Sequence, residues 1–160
     1  MTAPTPARAV LPNGESGPPP ADVARLPYDA RWLRREVIET ASGAEILVDL
    51  PEAQVLADGD RLLLADGRVV AIEAAPEALA EIRGDGPLHL ARLSWHLGNR
   101  HLPTRIEADR LLIRRDHVIE EMLALLGARV AHLEAPFDPE GGAYGHGRTH
   151  GHAHHHHSHG

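Results

Sequence analysis

The sequence predicts an α+β protein: a small β-rich amino-terminal domain, a β-α-β-β-α-β domain, and a histidine-rich tail. Three observations carry that prediction. Short apolar runs split by turn pairs fill residues 31–75, and strand-like and helix-like spacings alternate from Pro76 to Ala135. Beyond Pro136, glycine and histidine leave nothing to bury.

In chain order, residues 1–28 are rich in proline and small residues with almost no apolar periodicity, which predicts a mobile arm. Residues 29–76 form the β-rich domain. EVIET, AEILVDL, DRLLLAD and RVVAIEA are divided by Ser42-Gly43, Asp58-Gly59 and Asp66-Gly67, and no helical spacing persists among them. Asp66-Gly67 lies between two alternating runs and reads as a tight hairpin turn.

Residues 77–141 form the second domain. EALAEIR (77–83) reads as a strand. PLHLARLSWHL (87–97) reads as a helix, with Pro87 suited to its first turn and Leu90, Leu93 and Leu97 at helical spacing. Gly98-Asn99 is expected to stop it, since both residues tolerate a left-handed backbone. TRIEADRLLIRR (104–115) reads as two short strands turning near Ala108-Asp109. DHVIEEMLALLG (116–127) is the clearest helix: Asp116 is its N-cap candidate, Glu120 and Glu121 suit the positive end of the dipole, and Gly127 ends it. Its expected apolar stripe is Val118, Met122, Leu125 and Leu126. ARVAHLEA (128–135) alternates as a last strand, with Val130 and His132 on one face and Ala131 and Leu133 on the other. This order is the ferredoxin-like split arrangement. Residues 142–160 are the expected flexible tail.

Composition excludes several function classes. The 160 residues contain no cysteine, which removes disulfides, thiolate metal sites and cysteine nucleophiles. All 16 basic residues are arginine and the formal charge is −7, with neither half offering the basic footprint of a nucleic-acid binder. No apolar run reaches the ~20 residues of a membrane helix. The amino terminus lacks the apolar stretch of a secretory signal, so the expectation is a cytoplasmic protein without membrane contact. HExxH, a glycine-rich phosphate loop and GxSxG are all missing, and Glu120-Glu121 read as a solvated helix face, so the chain is not expected to be an enzyme.

Histidine is the anomaly: thirteen in all, eight within 146–160. In HLGNRHLPT (96–104), positions five apart on a helix differ by about 140° around its axis, and the helix stop lies between His96 and His101. The two are therefore not expected to chelate one ion within one chain. His96 falls in the last helical turn, where a capping or packing role competes with ligation. His101 leaves the helix into an extended segment set by Pro103, where a ligand or a solvent-exposed turn residue both fit. One imidazole cannot fill a metal site, but a symmetric dimer can set a second copy of His101 against the first. His117 follows the second N-cap, His89 reads as helix surface, and His132 as a partly buried strand residue. In the tail, His146, His150, His152, His154, His155, His156, His157 and His159 form a multi-imidazole strand suited to late first-row ions: Ni(II), Cu(II), Zn(II) or Co(II). Their interleaving with glycine, alanine, threonine and serine differs from the unbroken block of an affinity tag.

With these residues laid out, the chain resembles the UreE family, the nickel metallochaperones of urease assembly. WHLGNRHLPTRIE (95–107), LIRRDHVIEEMLALLGARV (112–130), APFDPEGGAYGHG (135–147) and DGDRLLLADGRVVAIEAAPE (58–77) carry the likeness, which covers roughly residues 30–160. The resemblance implies an amino-terminal domain similar to the peptide-binding domains of Hsp40-type chaperones, joined to a ferredoxin-like metal domain. It also implies a homodimer through that second domain, with the GNRH histidine of each subunit, His101 here, on one shared Ni(II). His96 matches a histidine of some members, and His117 a peripheral ligand candidate. Arg115 stands where some members carry a further histidine. The tail would add ion capacity and help complete the shared coordination. Delivery to apo-urease, through the urease-associated GTPase and its companion accessory proteins, is the implied role. A nickel or zinc storage protein, with the tail binding metal and the body serving as scaffold or polypeptide chaperone, is the rival expectation.

Overall fold

The computed structural model describes residues 3–141. Two sheets follow one another along the chain. The first contains β1 (Thr5–Leu11), β2 (Asp22–Leu26), β3 (Trp32–Glu39), β4 (Glu45–Val55), β5 (Arg61–Leu64) and β6 (Val69–Ala74), in the order β2-β6-β5-β1-β4-β3. Its alternating apolar positions, including Ile46, Val48 and Leu50 of β4 and Leu62 and Leu64 of β5, turn inward to one core. The Asp66-Gly67 hairpin is present: Gly67 has φ 88° and the Leu64 amide bonds the Arg68 carbonyl at 2.8 Å.

The mobile arm expected over residues 1–28 is a correction. β1 lies inside the sheet, parallel to β4 and antiparallel to β5, and β2 forms an edge parallel to β6. Prolines 4, 6, 12 and 18–20 hid these strands from a periodicity reading. Ala7 and Ala24 are nonetheless fully buried, small side chains serving where the sheet leaves little room. Pro6 is tolerated because its carbonyl, the one backbone hydrogen-bonding group a proline keeps, accepts from the Ala65 amide at 2.9 Å. At the seam between the two edge strands, the Ala41 amide bonds the Val23 carbonyl at 2.8 Å, so the sheet curls until its ends meet.

The second sheet follows directly: β7 (Pro76–Arg83), α1 (Pro87–Asn99), β8 (Arg105–Ile106), β9 (Leu111–Arg114), α2 (His117–Leu125) and β10 (Arg129–Pro136). Its strand order is β10-β7-β9-β8 with every neighbouring pair antiparallel, the ferredoxin-like arrangement. Leu90, Leu93 and Leu97 of α1 and Ile119 and Leu123 of α2 pack on Ala80, Ile82, Leu111 and Ile113 of the strands. The expected stripe on α2 is rotated by about one residue. Ile119, Glu120 and Leu123 are the buried positions, whereas Val118 is 69% and Leu125 84% exposed. An Ile119–Leu123 i,i+4 pair fits the sheet as well as Val118–Met122 does, so periodicity alone did not choose between them.

The two sheets are strapped together near the end of the described chain. Arg31 is fully buried; its guanidinium donates to the Leu56 carbonyl at 3.0 Å, to Asp138 Oδ1 at 3.1 Å and to the Phe137 carbonyl. Beside it Phe137 packs with Leu79 and Leu112, and the Tyr28 ring meets Phe137 edge-on at 5.6 Å. Among the described residues no helix is long and apolar enough to cross a membrane.

Candidate metal centre at the end of helix α1

Helix α1 runs two residues further than the Gly98-Asn99 stop allowed, through Asn99, and the left-handed residue that ends it is His101, at φ 55°. The His101 amide bonds the Gly98 carbonyl at 3.0 Å and the Leu102 amide bonds the Leu97 carbonyl at 3.3 Å. These are the paired bonds of a Schellman stop, with His101 in the position usually given to glycine. Leu102 then folds back onto the apolar cluster that holds Leu97. The six other described residues with positive φ are all glycine. His101 is exposed on a turn locked by two backbone bonds and one hydrophobic anchor. Its imidazole is thus presented from a rigid base.

His96 lies one turn earlier, half-buried, its ring edge-on to Trp95 at a centroid distance of 5.2 Å. Trp95 itself is 64% exposed. His117 is the first residue of α2 and is exposed; the Asp116 side chain caps that helix by accepting from the Ile119 amide at 3.0 Å. The structure therefore sets His96 in helix α1, His101 in the turn after it and His117 at the start of α2. Among the described residues no three His, Asp or Glu side chains are gathered to hold an ion. His146, His150, His152, His154, His155, His156, His157 and His159 lie outside the described residues.

The segment that leads to the tail is nonetheless placed. The Glu140 amide bonds the Thr104 carbonyl at 2.8 Å, the Ile106 amide bonds Glu140 Oε1 at 3.2 Å, and Arg105 reaches the Asp138 carbonyl at 3.3 Å. Residues 138–140 thus run beside the strand that follows His101. His146 is six residues past Glu140, within about 20 Å of extended chain.

Two polar centres were missed by sequence reasoning. Glu120, expected as a solvated face, is buried. Burial pushes its carboxyl up, but the His132 ring at 2.5 Å, the Asp116 amide at 2.8 Å and Arg115 outweigh that and hold it below the ordinary range. The signal was available: Glu120 stands four residues after a capping aspartate, and the β10 alternation sets His132 on the helix-facing side. His89, expected as helix surface, instead bonds at both ring nitrogens, to the Asp85 amide at 2.8 Å and the Leu126 carbonyl at 2.9 Å.

Residues 77–160 match the family model described as UreE urease accessory protein, C-terminal domain, and residues 6–75 match the corresponding N-terminal domain model. A protein of Paracoccus denitrificans (strain Pd 1222) named urease accessory protein UreE is 55% identical over 133 residues, 83% of this chain and 82% of its own length. A protein of the same name from Ruegeria sp. (strain TM1040) is 53% identical over 139 residues, 87% of this chain and 76% of the relative. Another, from Cereibacter sphaeroides, is 51% identical over 151 residues, 94% of this chain and 81% of the relative.

Proposed function

The chain belongs to the UreE family of urease accessory proteins, and from that premise we propose that it carries nickel: a non-enzymatic metallochaperone holding Ni(II) between two copies of itself and passing it to apo-urease. A role in urease maturation follows from the family. The metal, the dimer and the ligand set are the proposal.

The observation that carries it is the backbone of His101. A non-glycine residue in the left-handed region costs about 1 kcal/mol or more relative to glycine, and such strain concentrates at functional positions. An exposed histidine in a glycine slot supports a task for its imidazole. One copy offers too few donors, and a two-fold axis supplies the second. The exposed Trp95 beside His96 on α1, with Val118 and Leu125 exposed on α2, supports a dimer through this domain, since a second copy would cover apolar surface. His96 and His117 are the accessory donors of the proposal, and the tail histidines enter from residues 138–140. Neutral imidazoles release an ion to a partner more readily than a closed thiolate cage, and the partners proposed are the urease-associated GTPase with its companion accessory proteins. Protons compete for imidazole, so affinity weakens below about pH 6.

Calorimetry with Ni(II) and Zn(II), with molecular mass followed in parallel, tests this on three chains: the full one, one ending at Gly145, and that shorter one with His101→Ala. The expected result is one tight ion per dimer in the chain ending at Gly145, that ion plus further ones on the tail in the full chain, and loss of the tight ion in the third. Unchanged tight uptake in the third would remove His101 from the mechanism. The eight tail histidines favour a second reading, nickel or zinc storage. Under storage, deleting 146–160 abolishes metal uptake; under delivery, urease activation survives that deletion when nickel is plentiful.

A further inference from the structure

We propose that His89 is a proton-sensitive clasp at the start of helix α1, closed when its ring is neutral and opened by protonation. Two single-role partners fix the chemistry. The Leu126 carbonyl can only accept, so Nε2 must carry the proton; the Asp85 amide can only donate, so Nδ1 must be bare. The bonded ring is therefore neutral, in the Nε2–H form. The ring is closely seated on the side of the turn, where a methyl group added at Gly84 would sit 3.1 Å from Nδ1, and one at Gly127 would meet Cε1 at ordinary contact distance, 3.5 Å. The ring joins the turn before α1 to the end of α2, reaching Leu126, 37 residues on from His89 in sequence.

Protonation acts on the two bonds unequally. The carbonyl end of α2 favours a positive ring and retains its bond from Nε2. At Nδ1 the new proton points at the Asp85 N–H, and an acceptor becomes a second donor. The cost falls on the 84–86 turn. The charged groups facing this turn are already engaged: Asp85 with Arg129 at 2.7 Å, Arg129 also with the Gly84 carbonyl, and Arg83 with Glu81 and Asp109. Residues 122–127, at the end of α2, contain no titratable side chain. Between pH 7.5 and 5.5, histidine is the side chain that ordinarily changes charge. Helix α1 bears His96 near its far end and leads into the His101 turn, so acid loosens the anchorage of the helix that presents them.

The test uses the full chain labelled with nitrogen-15 and needs no nickel. At pH 7.5, long-range proton–nitrogen spectra should show His89 protonated at Nε2 alone. On moving to pH 5.5, the protection factor of the Asp85 amide against exchange should fall at least tenfold. In His89→Asn, the amide oxygen stands in for Nδ1 and does not titrate, so protection should stay flat. An Nδ1–H ring at pH 7.5, constant protection in the unmodified chain, or an equal fall in the variant would each overturn the clasp. The spectra of the unmodified chain decide the matter even if the variant folds poorly.

Discussion

At the level of single residues, His101 sets stability against ligation. Glycine at this C′ position would relax the backbone, so His101→Gly is expected to be about 1 kcal/mol more stable than His101→Ala, while both remove the proposed nickel site. His101→Ala removes the same imidazole but keeps a β-carbon in the left-handed region, so the difference between the two variants is the backbone term alone. Thermal unfolding of the two variants in the absence of metal, set beside their nickel titrations, separates the terms. A His101→Gly chain that melts no higher than His101→Ala would show that the left-handed turn is not strained by a β-carbon.

At the level of elements, the seam between β2 and the β3–β4 turn depends on one carboxylate. Asp22 accepts from the Ser42 and Thr40 hydroxyls and from the Val23 amide, and these bonds lower its pKa to about 2. A depressed folded-state value means that the contribution is present above the unfolded value, near pH 4, and fades as pH falls towards 2. Urea midpoints measured from pH 5 to pH 2 should therefore drop more steeply for the unmodified chain than for Asp22→Asn. Equal slopes would place the acid sensitivity elsewhere. Elements differ in how much of this was legible. The hairpin at Asp66-Gly67, helix α1 with its Leu90-Leu93-Leu97 spacing, and the ferredoxin-like order are written in local pattern and turn chemistry. β1 and β2 were not, because a strand held by long-range pairing needs no periodicity of its own, and Ala7 and Ala24 are too small to announce a core. The candidate site divides in the same way. His101 was visible as a residue beyond a helix stop, but its left-handed backbone depends on where the helix ends, which spacing leaves uncertain by a residue or two. The double bonding of His89 joins the two helices, and no local window contains it.

At the level of the whole molecule, the buried Arg31 joins the sheets. Removing it leaves the Leu56 and Phe137 carbonyls and the Asp138 carboxylate without their donor, so Arg31→Ala should cost about 3 kcal/mol. It should also broaden the unfolding transition as the two sheets lose their coupling. Differential scanning calorimetry checks both, and a single sharp transition at unchanged temperature would show that the apolar packing around Phe137 suffices. Timing follows from the same strap. Arg31 and the Phe137 carbonyl that it bonds are 106 residues apart in sequence. During synthesis the first sheet emerges from the ribosome long before the groups that neutralise its guanidinium exist. Its interior cannot close around that cation until nearly the last of the fold has been translated, so the amino-terminal half completes late, together with the carboxy-terminal half.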